Sequence, residues 1–179
     1  MTDSPVAVLT GASSGIGLET ALAFARKGYA IVGAARGADR LAEGMRRCEQ
    51  AGVEALAVPT DVSEEGQVRS LVDAAMDRFG RIDVMVNNAG YGVHARVHET
   101  SVEQMRQIFE TNFFGVFYGC LAVAPVMIRQ RGGHIFNVSS VIGKRGAPFN
   151  GAYCATKFAV CGLTDSLRVE MMPYDVRVT

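Results

Sequence analysis

The chain has 179 residues, 49% of them hydrophobic and 20% charged, which suits one globular domain with a sizeable core and excludes a disordered or fibrous polymer. Lys plus Arg and Asp plus Glu each number 18; with no bulk field, neither nucleic acid nor an anionic membrane is an expected partner, and only a local basic patch at Lys144 and Arg145 stays open. The four cysteines (Cys48, Cys120, Cys154, Cys161) form no C-x-x-C pair and no Cys/His cluster of zinc spacing, so no metal is expected. Met1–Pro5 has no basic-then-apolar leader pattern, and together with the scattered thiols this points to a reducing, cytoplasmic location.

Apolar runs of strand length alternate with segments of helical period. Val6–Thr10 reads as a strand and Ile16–Lys27 as a helix, followed by a strand over Tyr29–Ala34 and a polar amphipathic helix over Asp39–Gln50, stopped by Gly52. Val53–Val58 is the third strand; Ser63 is the expected N-cap of the next helix, with Glu64 and Glu65 in its first turn and its end near Gly80. Ile82–Val86 is the fourth strand. Helical period then runs from Ser101 to Gln130, with a bend expected at Pro125, where a backbone donor is missing. His134–Val138 is the fifth strand, Gly151–Met171 a helix, and Val176–Val178 the start of a sixth strand. Strands spaced by helices predict βαβ units with right-handed crossovers: an α/β, doubly wound, Rossmann-type parallel sheet with helices on both faces. The sequence holds no repeat, linker or low-complexity segment, so residues 1–179 are expected to form a single domain.

Thr111–Ile128 carries no charge and approaches the ~20 residues that span a bilayer. Asn112, Gly115, Gly119 and Pro125 interrupt it, and Glu110 and Arg129 flank it closely. It is expected to be a doubly buried helix, packed on the sheet by one face and on a partner subunit by the other.

Between the first strand and first helix lies Thr10-Gly11-Ala12-Ser13-Ser14-Gly15-Ile16-Gly17. Glycines let the turn tighten and let backbone approach a pyrophosphate, and a helix starting near Ile16 aims unpaired amides at it. A Gly-rich strand–helix turn that binds nothing has the same look, so the turn alone leaves the choice open. The second strand leads into Ala35-Arg36, where an NAD-preferring site places an acid on the ribose 2′-hydroxyl. Ala35 is neutral and Arg36 offers a planar fork suited to a 2′-phosphate, which favours NADP(H) over NAD(H); the alternative is a solvated surface arginine.

Three further motifs carry a family likeness. Thr10–Gly17 matches T-G-x-x-x-G-x-G, Asn87-Asn88-Ala89-Gly90 matches N-N-A-G, and Tyr153–Lys157 matches Y-x-x-x-K. Ser140 precedes Tyr153 by the usual interval, and Asn112 lies in the long helix. In this order and on these elements, the sequence from Val6 to its end resembles the short-chain dehydrogenase/reductase family.

The chemistry also follows from the residues. Tyr153 and Lys157, four apart on a helix, share one face. A free phenol has a pKa of ~10, and bringing one to ~7 takes roughly 4 kcal/mol, which a close ammonium and the ring charge of oxidised nicotinamide supply in a partly desolvated site. The resemblance implies that Tyr153 is the general acid in reduction and base in oxidation, and that Lys157 tunes it and holds the nicotinamide ribose. By the same likeness Ser140 bonds the substrate oxygen and Asn112 anchors a water that relays protons to Lys157. Taken singly, Tyr153 as an amphipathic helix residue, Ser140 as a strand-end cap and Asn112 as a buried amide have ordinary structural readings. The likeness also implies that Gly11, Ser13, Ser14, Gly15, Ile16, Gly17, Asn88, Ala89 and Gly90 line the cofactor and that Asn87 braces the central strands. Asp61 with Val62 either meets adenine or caps the next helix.

Members of the family usually continue with a Pro-Gly turn, a mobile substrate loop and a seventh strand, which this sequence does not reach; it is expected to be part of a longer protein. Tyr91, Gly92, Val93, His94, Val141, Ile142, Gly143 and Phe149 flank the expected pocket and are largely apolar. The expected substrate is therefore an uncharged, moderately hydrophobic ketone, aldehyde or secondary alcohol, with His94 read as an exposed loop residue. The alternatives are a nucleotide-sugar epimerase or dehydratase, whose T-G-x-x-G-x-x-G spacing Gly11, Gly15 and Gly17 do not follow, a cofactor-binding regulator without turnover, or a short form inactive by itself. The apolar Phe113–Ile128 helix and the helix of Tyr153 are the faces this family pairs, so a homodimer or homotetramer is expected.

Overall fold

A computed structural model describes residues 4–179; Met1–Asp3, part of the segment read for a leader, lie outside the described residues. In chain order the elements are β1 (Val6–Thr10), α1 (Gly15–Ala25), β2 (Ala30–Ala35), α2 (Ala38–Glu49), β3 (Ala55–Pro59), α3 (Glu65–Phe79), β4 (Val84–Asn87), α4 (Val102–Phe109), α5 (Gly115–Gln130), β5 (Gly133–Asn137), α6 (Gly151–Met171) and β6 (Val176–Val178). The strands form one sheet in the order β3-β2-β1-β4-β5-β6, each neighbouring pair parallel. This is the doubly wound architecture expected from the alternation of elements.

Side chains alternate between the faces of a strand, and all five of β1 are buried, so both faces must be covered. Val6 and Val8 pack with Val32, Met85 and Ile135 beneath α3, α5 and α6, represented by Leu71, Val123 and Val160. Ala7 and Leu9 pack with Ile31 and Val86 beneath α1 and α2, represented by Leu22 and Leu41. All four cysteines are free thiols.

One local expectation needs correction: Ser63 does not cap α3, because its hydroxyl and amide both donate to Asp61 Oδ1, at 2.7 and 3.0 Å. That tight turn holds Ser63 outside the helix, which starts at Glu65.

In the long helical stretch, Pro125 lies inside α5, which continues through it to Gln130. The irregularity is a single wide π-turn over Glu110–Phe114, where the extra residue turns Asn112 inward while Ile108 and Val116 stay in the core. Asn112 Oδ1 accepts from the Tyr91 amide at 3.0 Å and Nδ2 donates to the Tyr91 carbonyl at 2.8 Å, a strand-like pairing that offsets the loss of regular helix geometry.

One face of α5 packs on the sheet as expected, and the other, the face expected to meet a partner subunit, is part-exposed within the chain. Val116, Cys120, Val123 and Met127 enter the core, whereas Phe117 is 37% and Leu121 49% exposed. By length and composition Val102–Gln130 is long and apolar enough to cross a membrane, and 44% of its most apolar window is buried against the rest of the chain. Strand ends differ from the sequence reading by one or two residues, because hydrogen bonding to a neighbour, not hydropathy, sets where a strand stops.

Candidate active site

The strand order reverses between β1 and β4, and at that switch point the loops leaving the carboxyl ends part into a crevice of about 700 Å³. One end of its wall is the β1–α1 turn, where Gly11, Ser13, Ser14, Ile16 and Gly17 reach the opening. Gly15 sits at φ +53° with nothing within 4 Å, and a Cβ on Gly17 would lie 2.1 Å from the Gly11 carbonyl oxygen, so α1 enters the turn by backbone-on-backbone contact. The first turn of α1 holds no acid, which leaves its amides and positive dipole end free for an anion.

Thr10 locks this turn to the loop after β4. Its hydroxyl accepts from the amides of Asn88 (3.0 Å) and Ala89 (3.1 Å), and the Asn88 amide donates back to the Thr10 carbonyl at 3.0 Å. Asn88, Ala89 and Gly90 all line the crevice, while Asn87 bonds Asn137 across β4 and β5 at 2.9 Å. At the far end the wall is made by Ala35, Arg36, Gly37, Arg40, Thr60, Asp61 and Val62. Burial alone would raise the Asp61 carboxyl, but the hydroxyl and amide of Ser63 and the nearby Arg36 charge carry it below its ordinary value. Thr10, Arg40 and Thr60 escaped the sequence reading. Arg40 one helical turn after Arg36 was a usable signal; nothing in the sequence marked Thr10 as a latch.

Ser140, Tyr153 and Lys157 converge on the other end of the same crevice. Ser140 starts a short 3₁₀ turn, where its hydroxyl oxygen accepts from the Ile142 amide at 3.4 Å. Its O–H hydrogen has no acceptor among the described residues. Tyr153 and Lys157 project from α6, the ammonium 5.5 Å from the phenol ring centre. Lys157 is only 3% exposed, and its Nζ donates to the Val138 carbonyl at 2.7 Å. Burial holds its pKa below the usual lysine range, an effect the neighbouring Cys161 partly offsets.

Asn112 lies against this group, since a Cβ on Gly90 would sit 3.0 Å from Asn112 Oδ1 and 3.8 Å from Lys157 Nζ. Its amide hydrogens go to the Tyr91 carbonyl and to Thr156 Oγ1, at 2.8 and 3.3 Å. Its side chain therefore spends its donors on protein and acts as a brace. Of the residues flanking the pocket, Tyr91 and Gly92 line the crevice. His94 stacks instead on Phe149 with ring centres 5.4 Å apart, and Arg96 lies 5.9 Å over the same ring. The two loops meet there through the Ala95 amide and the Phe149 carbonyl, at 2.9 Å.

A parallel sheet with this crossover, a glycine turn at the switch point and a Ser-Tyr-Lys group beside it define a dinucleotide-dependent oxidoreductase scaffold. The chain belongs to the short-chain dehydrogenase family, whose model matches residues 5–179. It is 40% identical over 167 residues to YxnA, an uncharacterized oxidoreductase of Bacillus subtilis, covering 93% of this chain and 47% of that one. To a 3-ketodihydrosphingosine reductase of Bacteroides thetaiotaomicron it is 36% identical over 97% of this chain and 61% of that protein. The chain thus spans about half to two thirds of the length of these relatives. Among solved structures, an NAD⁺-bound xylitol dehydrogenase superposes with a TM-score of 0.95 at 35% identity, over 97% of this chain and 67% of that one. A metagenomic short-chain oxidoreductase in complex with NADP gives 0.94 at 34% identity, over 98% and 80%.

Proposed function

We propose that this protein transfers a hydride between NADP(H) and an uncharged ketone, aldehyde or secondary alcohol, with Tyr153 exchanging the proton. The observation that carries the reading is the buried Lys157 ammonium one helical turn from Tyr153, on the wall of the crevice that Ser140 also lines.

The glycine turn fits the pyrophosphate of a dinucleotide, because Gly11, Ser13, Ser14, Ile16 and Gly17 line the crevice at the acid-free first turn of α1, whose amides can meet an anion. When bound, the nicotinamide supplies or accepts the hydride. The chain's own residues do the rest. Ser140 donates its free O–H to the substrate oxygen, stabilising charge as it develops there. Tyr153 gives its phenolic proton to that oxygen in reduction and takes it back in oxidation. Lys157, positively charged and buried, favours the phenolate left behind, and Asn112 keeps the Gly90–Tyr91 loop segment against it.

NADP(H) is favoured over NAD(H) because the wall after β2 offers Ala35, Arg36 and Arg40 and no acid, a setting that attracts a 2′-phosphate. The relatives bind either cofactor, one solved with NAD⁺ and another with NADP, so Arg36 and Arg40 carry this choice. Tyr91 and Gly92, with a 3-ketodihydrosphingosine reductase among the relatives, favour an apolar substrate. The exposed Phe117 and Leu121 of α5 and Phe158 of α6 favour a homodimer or homotetramer, and the four free thiols favour the reducing cytoplasm.

The test is oxidation of NADPH by the full gene product against a panel of apolar ketones, sugars and charged ketoacids. Turnover of apolar ketones, abolished in Tyr153→Phe, is the expected result. Conversion of nucleotide sugars in a parallel product assay, with no net NADPH oxidation on any ketone, would replace the reading with the epimerase one.

A further inference from the structure

We infer that Asn137 and Thr164 are positioning residues for the proton-transfer pair: together they hold α6 on β5 in the register that seats the Lys157 ammonium on the Val138 carbonyl. This deepens the oxidoreductase reading and rests on it.

An apolar helix face on a sheet is held by forces with little direction, so burial alone does not choose between neighbouring registers. Hydrogen bonds do. Where β5 ends, four of them tie strand to helix: Lys157 Nζ to the Val138 carbonyl at 2.7 Å, Ser139 Oγ to the Lys157 carbonyl at 3.1 Å, Asn137 Nδ2 to Thr164 Oγ1 at 3.0 Å, and the pair Ser139 Oγ and Cys161 Sγ at 3.2 Å. The first belongs to the catalytic lysine itself. The third lies two helical turns further on, on the same helix face, with Asn137 8% and Thr164 6% exposed.

That third bond is one link in a buried chain across three layers. Thr164 passes its own hydrogen to the Val160 carbonyl at 2.7 Å. Asn137 Oδ1 accepts from Asn87 Nδ2 at 2.9 Å and from the Cys120 thiol at 3.5 Å. Burial pushes that thiol up to about 11, so it remains a protonated donor at neutral pH. The chain thus runs from α6 through β5 to β4 and α5. It leaves one buried atom, Asn87 Oδ1, without a partner, and Gly119 is where α5 approaches that oxygen, since a Cβ there would lie 2.0 Å away. A polar network that keeps an unsatisfied atom costs stability that an apolar replacement would recover. Its contribution is direction: the same strand end that Asn137 anchors presents the carbonyl that Lys157 uses.

Thr164→Val keeps the shape and removes the acceptor, leaving Asn137 Nδ2 buried and unpaired. The experiment labels Lys157 with acetic anhydride across a range of pH in the ligand-free full gene product, read by peptide mass mapping. Tyr153 and Cys161, the titratable side chains beside the ammonium, are followed in the same maps. The expected result is a folded T164V protein in which Lys157 labels several-fold faster and titrates nearer an ordinary lysine, because the ammonium has left its buried seat. With NADPH and a ketone, kcat/KM falls about 10–100-fold, the cost of a misplacement of ~1 Å, and its pH profile shifts. Thr164→Ser restores both readouts. A lowered melting temperature with an unchanged Lys157 labelling profile would overturn the proposal, since Thr164 would then act on stability alone. If T164V does not fold, Thr164→Ala takes its place, with the same direction expected and the same unchanged profile as refutation. Labelling needs no turnover, so altered labelling in a protein that reduces nothing would sink the oxidoreductase reading while sparing the positioning one.

Discussion

At the β1–α1 end of the crevice the wall is main chain: Gly17 touches the Gly11 carbonyl, and α1 presents bare amides. At the β5–α6 end the wall is side chain: Ser140, Tyr153 and Lys157 reach the space from different elements and depend on bonds to Val138, Ser139 and Asn137 behind them. Under the proposed function, the difference follows from what each end would bind. A pyrophosphate is met by backbone donors at close range. Proton transfer needs a particular functional group with a tuned charge, which only a side chain supplies, and that side chain must be held from behind.

The sharpest way to separate the two ends is Tyr153→Phe. It should lower kcat by about a thousandfold, within the range of general acid–base effects, while NADPH affinity measured by fluorescence stays within a factor of two or three. A comparable loss of affinity would mean that the ends are not independent. Gly17→Ala should do the reverse. Forcing a Cβ against the Gly11 carbonyl costs about 1–3 kcal/mol in a thermal or urea melt, and nucleotide binding should fall more steeply than the residual kcat. Arg36→Asp tests the far side of the nucleotide end: NADPH should bind about 10–100-fold more weakly, as for loss of a charge-assisted bond, with NADH little changed. An unaltered preference would hand the role to Arg40.

The smallest effect concerns pH. Asp61 is held below its ordinary value near 3.8, so the folded state binds its proton less readily than the unfolded one. Its contribution is present above that value and is lost as pH falls through the lower folded one. Asp61→Asn should therefore lower stability at neutral pH and flatten the acid side of the curve, with the two proteins converging below about pH 4. Urea midpoints at several pH values read it directly.

Legibility divided along the same line. The alternation of apolar runs with helical period was enough for the doubly wound sheet, and the glycine turn and Tyr153–Lys157 spacing were enough to place the two ends of the crevice, because these obey short-range rules. Ser63 was misread because a local bond to Asp61 outcompeted the helix for its side chain. The wide turn at Glu110–Phe114 had no signature, since its cause is Tyr91, 21 residues away in the chain. Thr10, Asn137 and Thr164 were missed for a related reason: their bonds exist only once separate elements meet.

That wide turn has a consequence for how this chain tolerates change in length. Each residue of a regular helix rotates the next by ~100°, so eight regular steps from Ile108 to Val116 would leave them ~80° apart; the wide turn absorbs the extra residue and both face the core. Deleting one residue between Glu110 and Phe114 should close that turn to a regular one and leave Val116, Cys120 and Val123 facing the interior, at the cost of the Asn112 bonds to Tyr91. The segment thus works as a phase adjuster, and a deletion there should be better tolerated than one after Gly115, where the rotation has nothing to absorb it.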